Sequence, residues 1–137
     1  MTTHTGQCLC GAVKYRATGV KKSYAVCHCR MCQQWSGGPF CAASAEKVEF
    51  DGEENIKRYR SSEWAERGFC RNCGSNLFYR VLKSESYEMC VGSFDEPDFF
   101  EVSSEIFVDR KPQGYALAGD HPRLTEAETL KKYKFSS

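Results

Sequence analysis

Wherever this chain shows a regular pattern of apolar and polar positions, the period is almost always two. "AVKYRAT", "SYAVCH", "IKRYR", "NLFYRVL", "YEMCVGS" and "EIFVD" alternate in this way, and alternation reads as a strand with one face turned inward. "SGGP", "FDGEEN", "FDEPD" and "DRKPQG" fall between these runs and carry the residues that turns favour. A helical pattern stands out once, in "LTEAETLKKY". There Thr125 is placed to cap, acidic residues open the first turn and lysines close the last. A single helical turn over "QQW", just after Cys32, would end at "SGG". The patterning therefore predicts a mainly β fold with a short C-terminal helix. The length of 137 residues fits a single domain over residues 1–137.

Charge narrows the function classes. Nineteen basic residues face eighteen acidic ones, for a net charge of +1, and no block of like charge suggests a nucleic-acid or membrane surface. The opening "MTTHTGQCLC" lacks the apolar run of a signal peptide. No apolar stretch approaches the ~20 residues of a membrane helix. The expected location is the cytoplasm, with no membrane and no nucleic-acid partner.

Cysteine changes the picture most. There are nine, an odd number, so disulfides within the chain would leave one over. A reducing cytosol also disfavours a disulfide framework and favours metal ligation or redox catalysis. Seven of the nine fall into groups of two, three and two: Cys8 and Cys10 in "QCLCG", Cys27, Cys29 and Cys32 in "CHCRMC", Cys70 and Cys73 in "FCRNCGS". The last group spaces two thiols across a tight turn, with Gly74 supplying backbone freedom. Cys8 and Cys10, if extended, would point to one face. Together the two pairs make four thiolates, enough to close a structural tetrahedral zinc site. Three thiolates remain, and three protein ligands with one open position is the pattern of a catalytic zinc. Two other readings stay open. "CRMC" is also a C-x-x-C, the redox motif of thioredoxin-like proteins, although the expected alternation of strands and helices is missing. Alternatively all seven cysteines serve structural zinc, with Cys41 or His28 completing the second set. Cys41 in "PFCAA" and Cys90 in "YEMCVG" sit in apolar contexts and are expected in the core as small hydrophobes.

His28 lies between two of the proposed ligands. In an extended segment its side chain points away from theirs. It is expected either to be a hydrogen-bonded structural residue or to move protons beside the open site; direct ligation is the third possibility.

The ordered set "GQCLCGAVKY", "CHCRMCQQWSGG" and "FCRNCGSNLFY" resembles the signature of the glutathione-dependent formaldehyde-activating enzymes, over roughly residues 6 to 108. The resemblance implies a β-tent of stacked antiparallel sheets holding two zinc ions. It places a structural zinc on Cys8, Cys10, Cys70 and Cys73, and a catalytic zinc on Cys27, Cys29 and Cys32. It implies a carbon–sulfur lyase or synthase that joins a small thiol, glutathione or a similar one, to formaldehyde or another small aldehyde. The competing expectation is a zinc-stapled thiol carrier without catalysis. His28 is the candidate catalytic residue. Arg30 is a candidate for offsetting the negative charge of the thiolates. Ser36 and Gly37 stand where the family has a small-residue turn, with backbone amides to offer a substrate. Two positions depart from the pattern of many relatives: Glu105 stands in place of a histidine before the "IFV" motif, and Gly114 in place of a tryptophan in the following turn. These departures point to a smaller thiol or a different electrophile.

Overall fold

The computed structural model describes residues 2–133. Among them are nine strands: β1 (Thr3–Gln7), β2 (Lys14–Val20), β3 (Ser23–Cys27), β4 (Phe40–Asp51), β5 (Ile56–Arg60), β6 (Ala65–Cys70), β7 (Asn76–Val81), β8 (Tyr87–Cys90) and β9 (Glu101–Ile106). Two α-helices accompany them, α1 (Arg30–Ser36) and α2 (Glu126–Tyr133). The protein is mainly β, as its alternation predicts. The chain divides into two compact units, one built from the residues through Lys22 together with Ala42–Phe100, the other from Ser23–Cys41 and the residues from Glu101 onward.

In the first unit the strand order is β1-β2-β4-β8-β7-β6-β5, and every neighbouring pair is antiparallel. Alternation on β2 buries Tyr15 and Ala17 and exposes Lys14 and Arg16. Tyr15 and Ala17 join Ile56, Leu77, Phe78, Met89 and Phe94 in one core, to which Cys8 and Cys70 also belong. Phe78 is its largest fully buried side chain; burying such a ring stabilises by roughly 1.5–3 kcal/mol. Tyr87 meets Phe78 edge-on at a centroid distance of 4.9 Å. The Phe78 ring lies directly over Gly68 of β6, so that any Cβ there would collide with it. A side chain at residue 68 would expel the central ring of this core.

In the second unit β3 runs parallel to β9, and antiparallel to Phe40 and Cys41 at the start of β4. Helix α2 begins with a capping box: the Glu128 amide donates to Thr125 Oγ1 (3.2 Å), and the Thr125 amide donates to Glu128 Oε1 (2.9 Å). The buried Thr129 then donates to the Thr125 carbonyl and accepts from the Phe107 amide, which ties α2 to the chain just after β9.

Five of the strands coincide with alternating runs, and "EIFVD" meets β9 only at Glu105 and Ile106 before the chain turns at Phe107; β1, β4 and β6 lie outside the runs. The start of β4 reads "FCAASA", with buried residues on both faces, so no polar partner marks the alternation. Strand β6 reads "AERGFC", and its charges disguise it. Glu66 and Arg67 are only 8% and 4% exposed; Glu66 pairs with Arg58 and Arg80, and the Arg67 guanidinium lies 5.0 Å from the Tyr79 ring centroid. Cys41 and Cys90, expected in the core, are half-buried instead.

Candidate metal centres

The first centre is built from two turns of the first unit. Cys8 follows directly on β1, and the Gly11 amide donates to its carbonyl (3.2 Å), folding residues 8–11 into a turn rather than an extended end. Sixty residues after Cys10, Cys70 ends β6, and Gly74 closes the second turn by donating to the Cys70 carbonyl (2.8 Å). Gly74 has φ = 77°, a left-handed conformation that glycine adopts without the strain a side chain would bring. The sulfurs of Cys8, Cys10, Cys70 and Cys73 all lie within 4.8 Å of one another. The Cys8–Cys10 and Cys10–Cys70 separations are 3.7 and 3.8 Å. A regular tetrahedron with metal–sulfur bonds of about 2.3 Å has edges of about 3.8 Å. Four soft thiol donors at that spacing fit zinc.

Ser75 completes this centre. Its hydroxyl accepts from the Leu9 amide in the first turn (3.0 Å) and pairs with Cys73 Sγ in the second (3.1 Å). Hydrogen bonds from the Ser75 hydroxyl and amide bring the Cys73 thiol down to about 5. Cys10 moves the other way: the Ala12 amide lowers it, but burial and the neighbouring thiols raise it to about 11. Charge on one sulfur thus opposes charge on the next, and a bound cation removes that conflict.

The second centre comes from one segment of the second unit. Cys27 ends β3. Cys29 is the N-cap of α1 and accepts from the Cys32 amide (3.4 Å), so the first helical turn carries Cys32 back toward Cys29. The three sulfurs lie within 4.8 Å of one another, which fits three corners of a zinc tetrahedron. Hydrogen bonding with Cys29 and then Cys32, together with burial, pushes the Cys27 thiol far up.

His28, between Cys27 and Cys29, has no solvent exposure. Its Nε2 lies 2.8 Å from Glu105 Oε1. Glu105, 1% exposed, accepts through Oε2 from His121 Nε2 (2.6 Å) and Arg123 Nε (2.9 Å). Burial raises the Glu105 carboxyl, but the hydrogen bonds from His121 and His28 and the charge of Arg123 outweigh it, so Glu105 is held below its ordinary range.

The model of the glutathione-dependent formaldehyde-activating enzyme family matches residues 3–110. The chain belongs to this family. It is 31% identical over 133 residues to an uncharacterized lyase of Schizosaccharomyces pombe, covering 96% of this chain and 97% of that protein. A crystal structure of a Rhodobacter sphaeroides protein superposes with a TM-score of 0.56 at 22% identity, covering 87% of this chain and 98% of the other; that likeness concerns the fold alone.

Within this family member the seven clustered cysteines divide into the two sets that their spacing suggests. His28 sits beside the second set, buried in an ionic network. Arg30 is exposed and donates to Gln33 Oε1 (2.9 Å). Ser36 is exposed at the end of α1. The Gly37 amide donates to the Gln33 carbonyl (2.8 Å) as the helix cap. Three groups escaped the reading of the sequence. Ser75 left a trace in the "CGS" that follows the metal pair. Gln33 donates from its buried amide to the carbonyls of His28 (2.6 Å) and Arg110 (2.7 Å), and its place beside Cys32 was the only hint. His121 and Arg123, 16 and 18 residues from Glu105, gave no local signal.

Proposed function

We propose that this protein is a zinc-dependent carbon–sulfur lyase or synthase of the Gfa type, acting as one domain over residues 1–137 in the cytoplasm. It joins a small thiol, glutathione or a similar one, to formaldehyde or another small aldehyde. Cys8, Cys10, Cys70 and Cys73 hold the structural ion, and Cys27, Cys29 and Cys32 the catalytic one. The observation that carries this reading is the three-sulfur set within 4.8 Å, one ligand short of a tetrahedron, in a member of this family whose curated relative is named a lyase. Zinc at that set would supply a Lewis acid that favours the thiolate form of a substrate thiol at neutral pH. In synthesis a carbon–sulfur bond forms at the aldehyde carbon. The carbonyl electron pair moves to oxygen, and the proton released by the thiol ends there. Cleavage is the reverse. His28 is assigned the proton transfer, Arg30 the offset of negative charge, and Ser36 and Gly37 the turn against which the substrate lies.

A second reading, a thiol carrier without catalysis, draws on the complete burial of His28 and on the use of the Gly37 amide by α1. Calorimetry of the zinc-loaded protein with small thiols, followed by turnover assays with aldehydes, separates the two. Cys29→Ala should abolish thiol binding and turnover while leaving the four-cysteine ion in place. His28→Ala, assayed at saturating zinc, should leave thiol binding nearly unchanged and slow turnover by roughly 10²-fold. Thiol binding without any acceleration of aldehyde addition would establish the carrier, and undiminished thiol binding by Cys29→Ala would reject both readings.

A further inference from the structure

We infer that Glu105 is a positioning residue for the three-cysteine centre: acting through His28, it holds the peptide that carries Cys27 and Cys29 and so sets the metal affinity of that centre. The inference rests on the reading that these cysteines hold a metal.

His28 is held at three points. Its amide donates to the Ile106 carbonyl (3.1 Å), its carbonyl accepts from Gln33 Nε2 (2.6 Å), and its Nε2 meets Glu105 Oε1 (2.8 Å). The other ring nitrogen, Nδ1, is buried with no hydrogen-bond partner among the described residues. Among the described residues Glu105 is thus the single hydrogen-bonding group that orients the ring. The residue it orients is bonded on both sides to a cysteine ligand, so a displaced ring moves both sulfurs.

Glu105 is itself fixed. Its amide donates to the Pro122 carbonyl (3.0 Å), and its carbonyl accepts from the Leu124 amide (2.9 Å). Its side chain receives three donors, from His28, His121 and Arg123. A carboxylate suits that place because it only accepts; a carboxamide of the same shape must turn an N–H toward one of the three. With the carboxylate present, His28 Nε2 carries the proton. With an amide facing it, the ring must take the opposite tautomer or turn away. Groups that orient metal ligands from outside the coordination sphere commonly change metal affinity about 10- to 100-fold when replaced.

Glu105→Gln in the full chain is the test. Competition with a chromophoric chelator should show zinc binding at the three-cysteine centre weakened about 10- to 100-fold, with the four-cysteine centre unchanged as an internal control. ¹⁵N NMR of the zinc-loaded protein should show His28 protonated at Nε2 in the wild type and altered in the variant. Thr129→Val is the control for a merely structural effect, since Thr129 is buried in the same unit and its hydroxyl bonds to Thr125 and Phe107. It should lower thermal stability without weakening the metal. If Glu105→Gln fails to fold, His121→Leu combined with Arg123→Leu removes two of the three donors and should still weaken the metal at least threefold. Unchanged affinity in either Glu105→Gln or the double variant overturns the inference and leaves the two-metal reading standing. Equal weakening by Thr129→Val also overturns it. A wild type that takes up only one metal ion overturns the reading and the inference together.

Discussion

The four-cysteine and three-cysteine centres use the same ligand type to different ends. The first gathers sulfurs from two turns separated by 60 residues, seats two of them in the main core, and supplies Ser75 as a donor. The second takes all its sulfurs from residues 27–32, running from the end of β3 into the first turn of α1. A metal that bridges distant turns closes a long loop and removes entropy from the unfolded chain. One that bridges neighbours in sequence closes almost nothing. On the proposed reading the first centre is therefore built to hold the fold. There the second contributes little to it and keeps a coordination position for other use. The thiols reflect the same division: Cys73 is eased down to about 5 by Ser75, while Cys27 is driven up by its fellow thiols.

The largest expected effect tests the staple. Cys70→Ala should abolish cooperative folding of the first unit, because structural zinc contributes about 10–16 kcal/mol of apparent binding energy in small domains. Near-ultraviolet circular dichroism would check it; a native spectrum for this variant removes the distinction between the centres. Next comes chelation. Under a mild chelator, bound zinc measured by mass spectrometry should fall from two to one while the dichroism stays native. Loss of both ions together with the fold would make the two centres equivalent.

A smaller effect concerns the frame of the second centre. Glu105→Ala strips His28 and His121 of a buried acceptor and should destabilise by about 3 kcal/mol at neutral pH. The sign of its pH dependence is fixed. The folded state holds the Glu105 carboxyl below its ordinary range, so its contribution is complete above about pH 4.3 and is lost as pH falls through the depressed value. Urea unfolding at descending pH should show the gap between wild type and variant narrowing below about pH 4. A gap that stays constant would mean that charge does not hold this frame. The smallest effect is Ser75→Ala, which should cost about 1 kcal/mol. It should also slow alkylation of metal-stripped Cys73 at pH 6, because the thiol loses its main donor. Unchanged alkylation would assign the acidity of Cys73 to its neighbours instead.

The sequence by itself determined the two cysteine groups and the general class of fold. Metal ligation leaves marks at short range: thiols two or three residues apart, a glycine to finish the turn, and odd numbers that disulfides cannot absorb. Half-buried strands mark themselves by alternation, and α2 by a cap at Thr125, acidic residues in its first turn and lysines in its last. Tertiary structure alone decided what surrounds those marks. Strand β6 hid behind Glu66 and Arg67, whose charges Arg58, Arg80 and Tyr79 meet in the interior. Glu105 stood out in the sequence only as a residue in an unexpected place. That it joins His28 to His121 and Arg123 depends on side chains up to 77 residues apart along the chain. Local sequence records a residue's chemistry, but the partner that satisfies a buried charge is chosen by the packing of distant segments, and no periodicity carries that choice.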